Sequence, residues 1–252
     1  MVEWKLINNN KKIWRLMILI VPDIHGRKFW KEPCSNVDKY EKIIFLGDYL
    51  DPYTWREDIS KDDAIDNFKE IIWFARENKD KVVLLLGNHC IPYINEYFLN
   101  NANGGRHDSE NHDAIEKLYK DNMDLFSLAY ETDINGKKYL FSHAGVCKSW
   151  YTKYKELIGE LTAENLNNLL KSEEGIKTLC DIGMSRWGHD YAGSIVWADY
   201  KDHNFNSEKF DDIYQIFGHT QQESEPIIKK RYACLDVRKC FELDDEGNIN
   251  NI

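Results

Sequence analysis

A chain of 252 residues, 42% hydrophobic and 30% charged, carries enough apolar side chain to bury a core, which excludes a disordered or fibrous protein. A formal net charge of −10 argues against an extended nucleic-acid surface, which needs a basic footprint to neutralise phosphates. Six cysteines, none in a C-x-x-C pair, argue against a zinc finger and are expected as reduced thiols in a cytoplasm.

The first apolar run, residues 13–21, follows Lys11 and Lys12. Arg15 interrupts it, and Pro22 and Asp23 end it without a small-residue cleavage site, so it reads as a buried strand rather than a secretory leader. No stretch reaches about 18 apolar residues, and no membrane span is expected. Five short, near-continuous apolar runs at 16–21, 42–46, 81–86, 138–141 and 213–217 predict strands buried on both faces. Helical stripes lie between them. Residues 61–78 place Ala64, Ile65, Phe68, Ile71, Ile72 and Ala75 on one face, and residues 113–130 do the same with Ile115, Leu118, Met123, Phe126 and Ala129. A third helix is predicted at 161–170. Residues 100–111 are polar and glycine-containing and read as a surface loop. Two late runs, 231–237 and 239–243, predict a hairpin, with a polar tail at 244–252. No repeat or linker intervenes, so the expectation is one domain over 1–252, with a mostly helical insertion at about 91–136.

Polar residues gather just after the strand-like runs: Asp23-Ile24-His25-Gly26, Gly47-Asp48-Tyr49-Leu50-Asp51, Gly87-Asn88-His89, Ser142-His143-Ala144-Gly145 and Gly218-His219-Thr220. Open α/β sheets place their sites at the carboxyl ends of strands. Carboxylate, imidazole and amide donors suit a divalent metal, and a two-metal site needs one carboxylate to serve both ions. Asp and Asn at strand ends have a plainer use in turns, but turn chemistry gives no reason for His25, His89, His143 and His219 to recur at matching positions.

At these motifs the sequence resembles the calcineurin-like metallophosphoesterases, in the branch of phosphoprotein phosphatases and bacterial or phage diadenosine-tetraphosphatase-like enzymes. The resemblance runs from about Asp23 to Thr220, and Ser194-Ile195-Val196-Trp197-Ala198-Asp199 resembles a further segment of that branch. It implies an α/β fold of two packed β-sheets flanked by helices, with a dinuclear metal site at the strand ends. It implies that Asp23 and His25 hold the first metal, that Asp48 bridges, and that Asn88, His143 and His219 complete the second site. It further implies that a hydroxide held between the metals attacks a phosphomonoester or phosphoanhydride, with His89 as general acid oriented by Asp51. Mn²⁺ is the expected metal, with Fe, Zn, Ni, Co or Mg as alternatives. The expected substrate is a phosphorylated small molecule, a nucleotide or a phosphoprotein. A protein serine/threonine phosphatase, a dinucleoside-polyphosphate hydrolase and a non-catalytic binding module of the same fold stay open.

The chain departs from the family pattern in four places. Pro52 and Leu86 stand where phosphoprotein phosphatases carry the two arginines that hold the substrate phosphate, Cys90 replaces a glutamate, and Gln221 replaces a second histidine of other branches. Arg27, Arg56, Arg106 and Arg186 are the candidate replacements. Arg106-His107-Asp108 and His112-Asp113 lie in a polar loop and read as solvated surface, with a substrate-recognition cap over the metals as the alternative, and His189-Asp190 is a candidate for lining the cleft. Of the eight tryptophans most are expected in the core; one or two exposed near the cleft would suit a nucleotide.

Overall fold

The computed structural model describes residues 16–205, 210 and 212–252, so the part of the first apolar run at 13–15 lies outside the described residues. Strands β1 (Met17–Val21), β2 (Lys42–Phe45), β3 (Val82–Leu85) and β4 (Phe126–Ser127) run parallel, neighbour to neighbour. The late strand β10 (Phe241–Asp244) pairs antiparallel with β1, and β11 (Ile249–Asn251) closes that edge. The second sheet has the order β5 (Ala129–Ile134), β6 (Lys137–Ser142), β7 (Ile213–Phe217), β9 (Tyr232–Cys234) and β8 (Ile227–Ile228), with β6, β7 and β9 parallel.

Side-chain alternation along the strands builds two cores. Ile18, Ile20 and Ile44 of the first sheet meet Tyr139, Phe141 and Ile216 of the second in an apolar layer between the sheets. Leu19, Val21, Ile43 and Phe45 point the other way and meet the helix Lys61–Glu77 through Phe68, Ile71 and Ile72. Ser60 starts that helix: its hydroxyl accepts from the Asp63 amide while Asp63 accepts from the Ser60 amide, which satisfies two otherwise orphaned donors. The fold is two mixed β-sheets flanked by helices.

Three expectations are corrected. The helix expected over 113–130 runs only His112–Asp121; a 3₁₀ turn, Met123–Leu125, then leads into β4 and β5. The decisive local signal is Asn135-Gly136, both at positive φ (51° and 76°), which forms a two-residue turn with Ile134 opposite Lys137 and zips β5 onto β6. Phe126 and Ala129 therefore belong to strands, and the segment 91–136 is helical only in its first three quarters. Second, the expected late hairpin does not form, because the two runs complete different sheets: β9 pairs with β7 and β8, and β10 with β1 and β11. Third, the tail contains β11, placed by a turn in which the Asp244 carboxylate accepts from the amides of Glu246 and Asn248.

Candidate metal centre and active site

Parallel strands deliver their carboxyl ends to a common edge, and the five motifs meet there. Asp23 and His25 follow β1, Asp48 and Asp51 follow β2, Asn88 and His89 follow β3, His143 follows β6, and His219 follows β7. All eight side chains are buried. The turns that aim them are strained: His25, Asp48, Asp51 and His219 all have positive φ, between 44° and 62°, a conformation non-glycine residues rarely hold. Gly87 is required by close approach, since a Cβ there would lie 2.1 Å from Asp48 Oδ1.

The side chains form two groups that share one carboxylate. Asp23, His25 and Asp48 make the first; Asp48, His143 and His219 make the second; within each, the ligand atoms lie within 4.8 Å of one another. Neighbours fix which atoms face inward. His25 Nδ1 donates to Leu50 O (2.8 Å) and His143 Nδ1 to Leu46 O (2.8 Å), which leaves both Nε2 lone pairs facing the centre. The His89 amide donates to Asp48 Oδ1 (2.9 Å) and the His219 amide to Asp23 Oδ1 (3.0 Å), so each carboxylate is held from behind. Around His143 Nε2 then stand Asn88 Oδ1 at 3.1 Å, His219 Nδ1 at 3.1 Å and Asp48 Oδ2 at 3.3 Å. Four atoms able to offer lone pairs converge in a buried space, an arrangement that a cation would satisfy. Asn88, His143, His219 and Asp48 fit one divalent ion, and Asp23, His25 and Asp48 fit a second.

The protein partly satisfies this demand with protons. Burial lowers the basicity of His143, but the carboxylates of Asp48 and Asp23 outweigh burial and raise its pKa to about 9. Burial would raise the Asp48 pKa, yet the imidazoles of His143, His89 and His25 hold it well below the usual carboxylate range. A metal ion must displace the proton on His143. Because that pKa is raised, the proton is bound at neutral pH and lost only as pH rises through about 9. Metal-free protein is therefore expected to release a proton on taking up Mn²⁺, with affinity rising from pH 6 to 9. Calorimetry in buffers of different ionisation enthalpy measures that proton directly.

His89 is set apart from the metal groups. Its Nδ1 lies 2.7 Å from Asp51 Oδ2, leaving Nε2 toward the cleft. Tyr93 donates its hydroxyl to Asp51 Oδ1 and accepts from the Asp108 amide (2.8 Å). Tyr93 and Asp108 come from segment 91–136, which thus docks on the His89–Asp51 pair. Arg106-His107-Asp108, expected as solvated surface, is drawn inward: Asp108 is buried and takes Lys61 at 2.9 Å, and His107 packs on Tyr93 with ring centroids 4.3 Å apart. His112 Nδ1 meets His107 Nε2 at 3.0 Å, His203 is buried with Nε2 3.2 Å from Ala144 O, and His189 is exposed outside the cleft. Cys90 is fully buried, and burial pushes its thiol up to about 12, so it packs rather than reacts. Asp236 was not foreseen. It is buried with Oδ1 unpartnered among the described residues, and burial together with Asp23 raises its pKa well above the carboxylate range. It follows β9 just as Asp23 follows β1, so the pattern that marked the other strand ends also marked this one.

The cleft above these residues has a volume of about 430 Å³ and is lined by His25, Asp48, Asn88 and His89 below and Arg106, Arg186 and Trp187 around the rim. Among the described residues no helix is long and apolar enough to cross a membrane.

Comparison with known proteins gives one family. A search of curated proteins finds no match. Similar solved structures include a protein serine/threonine phosphatase from Saccharomyces cerevisiae with similarity to human phosphatase PP5 (11% identity over 93% of this chain and 74% of that one, TM-score 0.49). A phosphatase domain from the Legionella effector WipB (16%, 55% and 51%, TM-score 0.33) and an archaeal phosphodiesterase (11%, 94% and 99%, TM-score 0.31) are others. The sequence pattern of calcineurin-like phosphoesterases matches residues 16–223, most of the chain and all five motifs. The chain therefore belongs to the calcineurin-like phosphoesterase family, hydrolases that act on phosphate esters and generally use a dinuclear divalent metal centre.

Proposed function

We propose that the protein hydrolyses a phosphomonoester or phosphoanhydride with two divalent metal ions held by Asp23, His25, Asp48, Asn88, His143 and His219, with His89 as general acid. The observation that carries this reading is the sharing of Asp48 by two convergent donor groups. Bound there, the ions supply Lewis acidity, which lowers the pKa of water and offsets charge on the phosphoryl oxygens. Their mixed oxygen and imidazole donors accept Mn²⁺, the metal proposed here, as well as Fe, Zn, Ni or Co. His89 keeps Nδ1–H on Asp51 Oδ2, so the proton on its Nε2 is the one that passes to the departing oxygen. Asp51 stabilises the imidazolium and fixes the ring, and Tyr93 in turn holds Asp51. Among the described residues the cleft lining includes no Ser, Thr or Cys, which supports direct attack by water rather than a phosphoenzyme at such a residue.

A nucleoside polyphosphate is the second reading of the substrate, favoured by Trp187. Its ring lines the cleft, is 94% exposed, and sits on a residue at φ 59°, a costly conformation for a bulky side chain. An exposed indole beside a phosphate site suits stacking on a base. The shared core between the sheets supports reading the chain as one domain with an inserted segment at about 91–136, and the six free cysteines support a reducing cytoplasm.

The test is hydrolysis of p-nitrophenyl phosphate and bis-p-nitrophenyl phosphate by purified protein with Mn²⁺ and with chelator. Activity is expected with Mn²⁺, lost on chelation and restored on adding metal back. Turnover of a phosphopeptide against a diadenosine polyphosphate then separates the substrate classes. Protein that binds Mn²⁺ and hydrolyses none of these sinks the enzymatic reading in favour of a binding module.

A further inference from the structure

The four candidate arginines differ sharply in how they are engaged. Arg27 is spent on Glu57, with Nε at 2.8 Å and Nη2 at 2.9 Å from its two oxygens. Arg186 is ion-paired with Asp199 at 3.0 Å and donates through Nη2 to Thr220 Oγ1 (2.9 Å) and His219 O (3.1 Å), so it braces the loop behind His219. Arg56 is exposed and does not line the cleft. Arg106 lines it. Its guanidinium stacks 3.7 Å above the centroid of Tyr53, Nη1 donates to Asp51 O (2.5 Å), and Nη2 stands 3.0 Å from His89 Nε2 and 3.4 Å from His25 Nε2. No carboxylate among the described residues forms an ion pair with it.

We propose that Arg106 is the cation that holds the substrate's phosphoryl group in this protein, doing from the 91–136 segment what the family's missing motif arginines do elsewhere; the proposal rests on the hydrolytic reading of the site. Two observations and one electrostatic argument converge. The guanidinium is held by a ring and a carbonyl, and among the described residues no carboxylate forms an ion pair with it. Its Nη2 stands between one atom assigned to a metal and the atom assigned to leaving-group protonation, so it faces the space where a phosphoryl oxygen would lie between them. Two dications and a guanidinium in one small cleft repel one another unless an anion sits among them, and a phosphate with several charged oxygens fits a planar fork of donors. Local backbone supports the placement: a Cβ on Gly104 would lie 2.4 Å from the His89 ring, so only glycine lets the loop carrying Arg106 lie directly on the general acid. Pro52 and Leu86 cannot donate, which leaves this role open for a residue from outside the motifs.

The experiment is calorimetric titration of inorganic phosphate and of orthovanadate into Mn²⁺-loaded wild type, Arg106→Ala and Arg106→Lys, alongside Mn²⁺ titration of the metal-free proteins. Losing charge-assisted hydrogen bonds is expected to weaken phosphate binding on the order of 10- to 100-fold in Arg106→Ala. Arg106→Lys should recover part of it, because charge returns without the fork. Mn²⁺ affinity should not fall, since Arg106 is a repelling cation beside His25 and not a ligand, and KM should rise more than kcat falls. Phosphate affinity that is equal in wild type and Arg106→Ala overturns the proposal. Tighter Mn²⁺ binding in Arg106→Ala with unchanged phosphate binding also overturns it, since the guanidinium would then be a stand-in for the metal. Because phosphate binding is read without turnover, a wild type that binds phosphate through Arg106 yet hydrolyses no ester leaves this inference standing while the hydrolytic reading falls; a wild type that takes up Mn²⁺ and binds no phosphate overturns it outright.

Discussion

Asp48→Asn is expected to lower kcat/KM by about 10³-fold or more and to reduce Mn²⁺ uptake below two equivalents. The carboxylate is shared by both donor groups, so one substitution removes charge from two sites at once. It also accepts the His89 amide, which orients the next motif. Metal-centred stabilisation of a phosphoryl transition state is worth several kcal/mol, and each 1.4 kcal/mol is about tenfold in rate. The variant should still fold. Asp48 sits at φ 50°, a region that asparagine tolerates better than most residues, and the amide oxygen can still accept from His89. Circular dichroism and metal analysis by mass spectrometry complete the measurement. A folded Asp48→Asn protein with two Mn²⁺ and activity within tenfold of wild type would remove Asp48 from the bridging role.

His89→Asn should show a loss that depends on the leaving group. General acid catalysis contributes about 10²- to 10⁴-fold where the departing oxygen needs a proton. An alkyl phosphate needs one; p-nitrophenolate leaves nearly unaided. The expected result is a large fall on the alkyl ester and a small one on the p-nitrophenyl ester, with Mn²⁺ binding intact. Asp51→Asn should follow the same pattern more weakly, because it acts through the position and charge of the His89 ring. Equal losses on both esters would mean that His89 serves binding or structure instead of proton transfer.

The parts of this architecture that were legible in the sequence are those set by local rules. The parallel strands read as unbroken apolar runs because both of their faces are covered, and the polar residues after them read as ligands because such edges meet in space. The helix Lys61–Glu77 declared itself through its stripe. What was misread depended on long-range choices. Residues 126–130 continue the stripe read as a helix over 113–130, and only the Asn135-Gly136 turn with the waiting edge of β6 makes them strand. The late runs resemble a hairpin because hairpins are the default for adjacent strands, yet each found an unpaired edge in a different sheet. Arg106 sits in a polar loop that no spacing rule connects to His89, and Tyr93 earns its place only once the segment folds back on Asp51.

The donor set is divided between the two sheets. Asp23, Asp48 and Asn88 hang from the first, His143 and His219 from the second, and the layer of Ile18, Ile20, Ile44, Phe141 and Ile216 sets how the sheets sit against each other. The centre is thus a vernier for the alignment of the two halves. A shift of a few tenths of an ångström at an isoleucine deep in that layer, too small to endanger the fold, is carried along stiff strands to their tips and reappears as a changed gap between a carboxylate and an imidazole. If the proposed ligands hold metal, substitutions far from the cleft are expected to retune its metal preference, and selection acting on the chemistry would also act on packing that never touches a substrate.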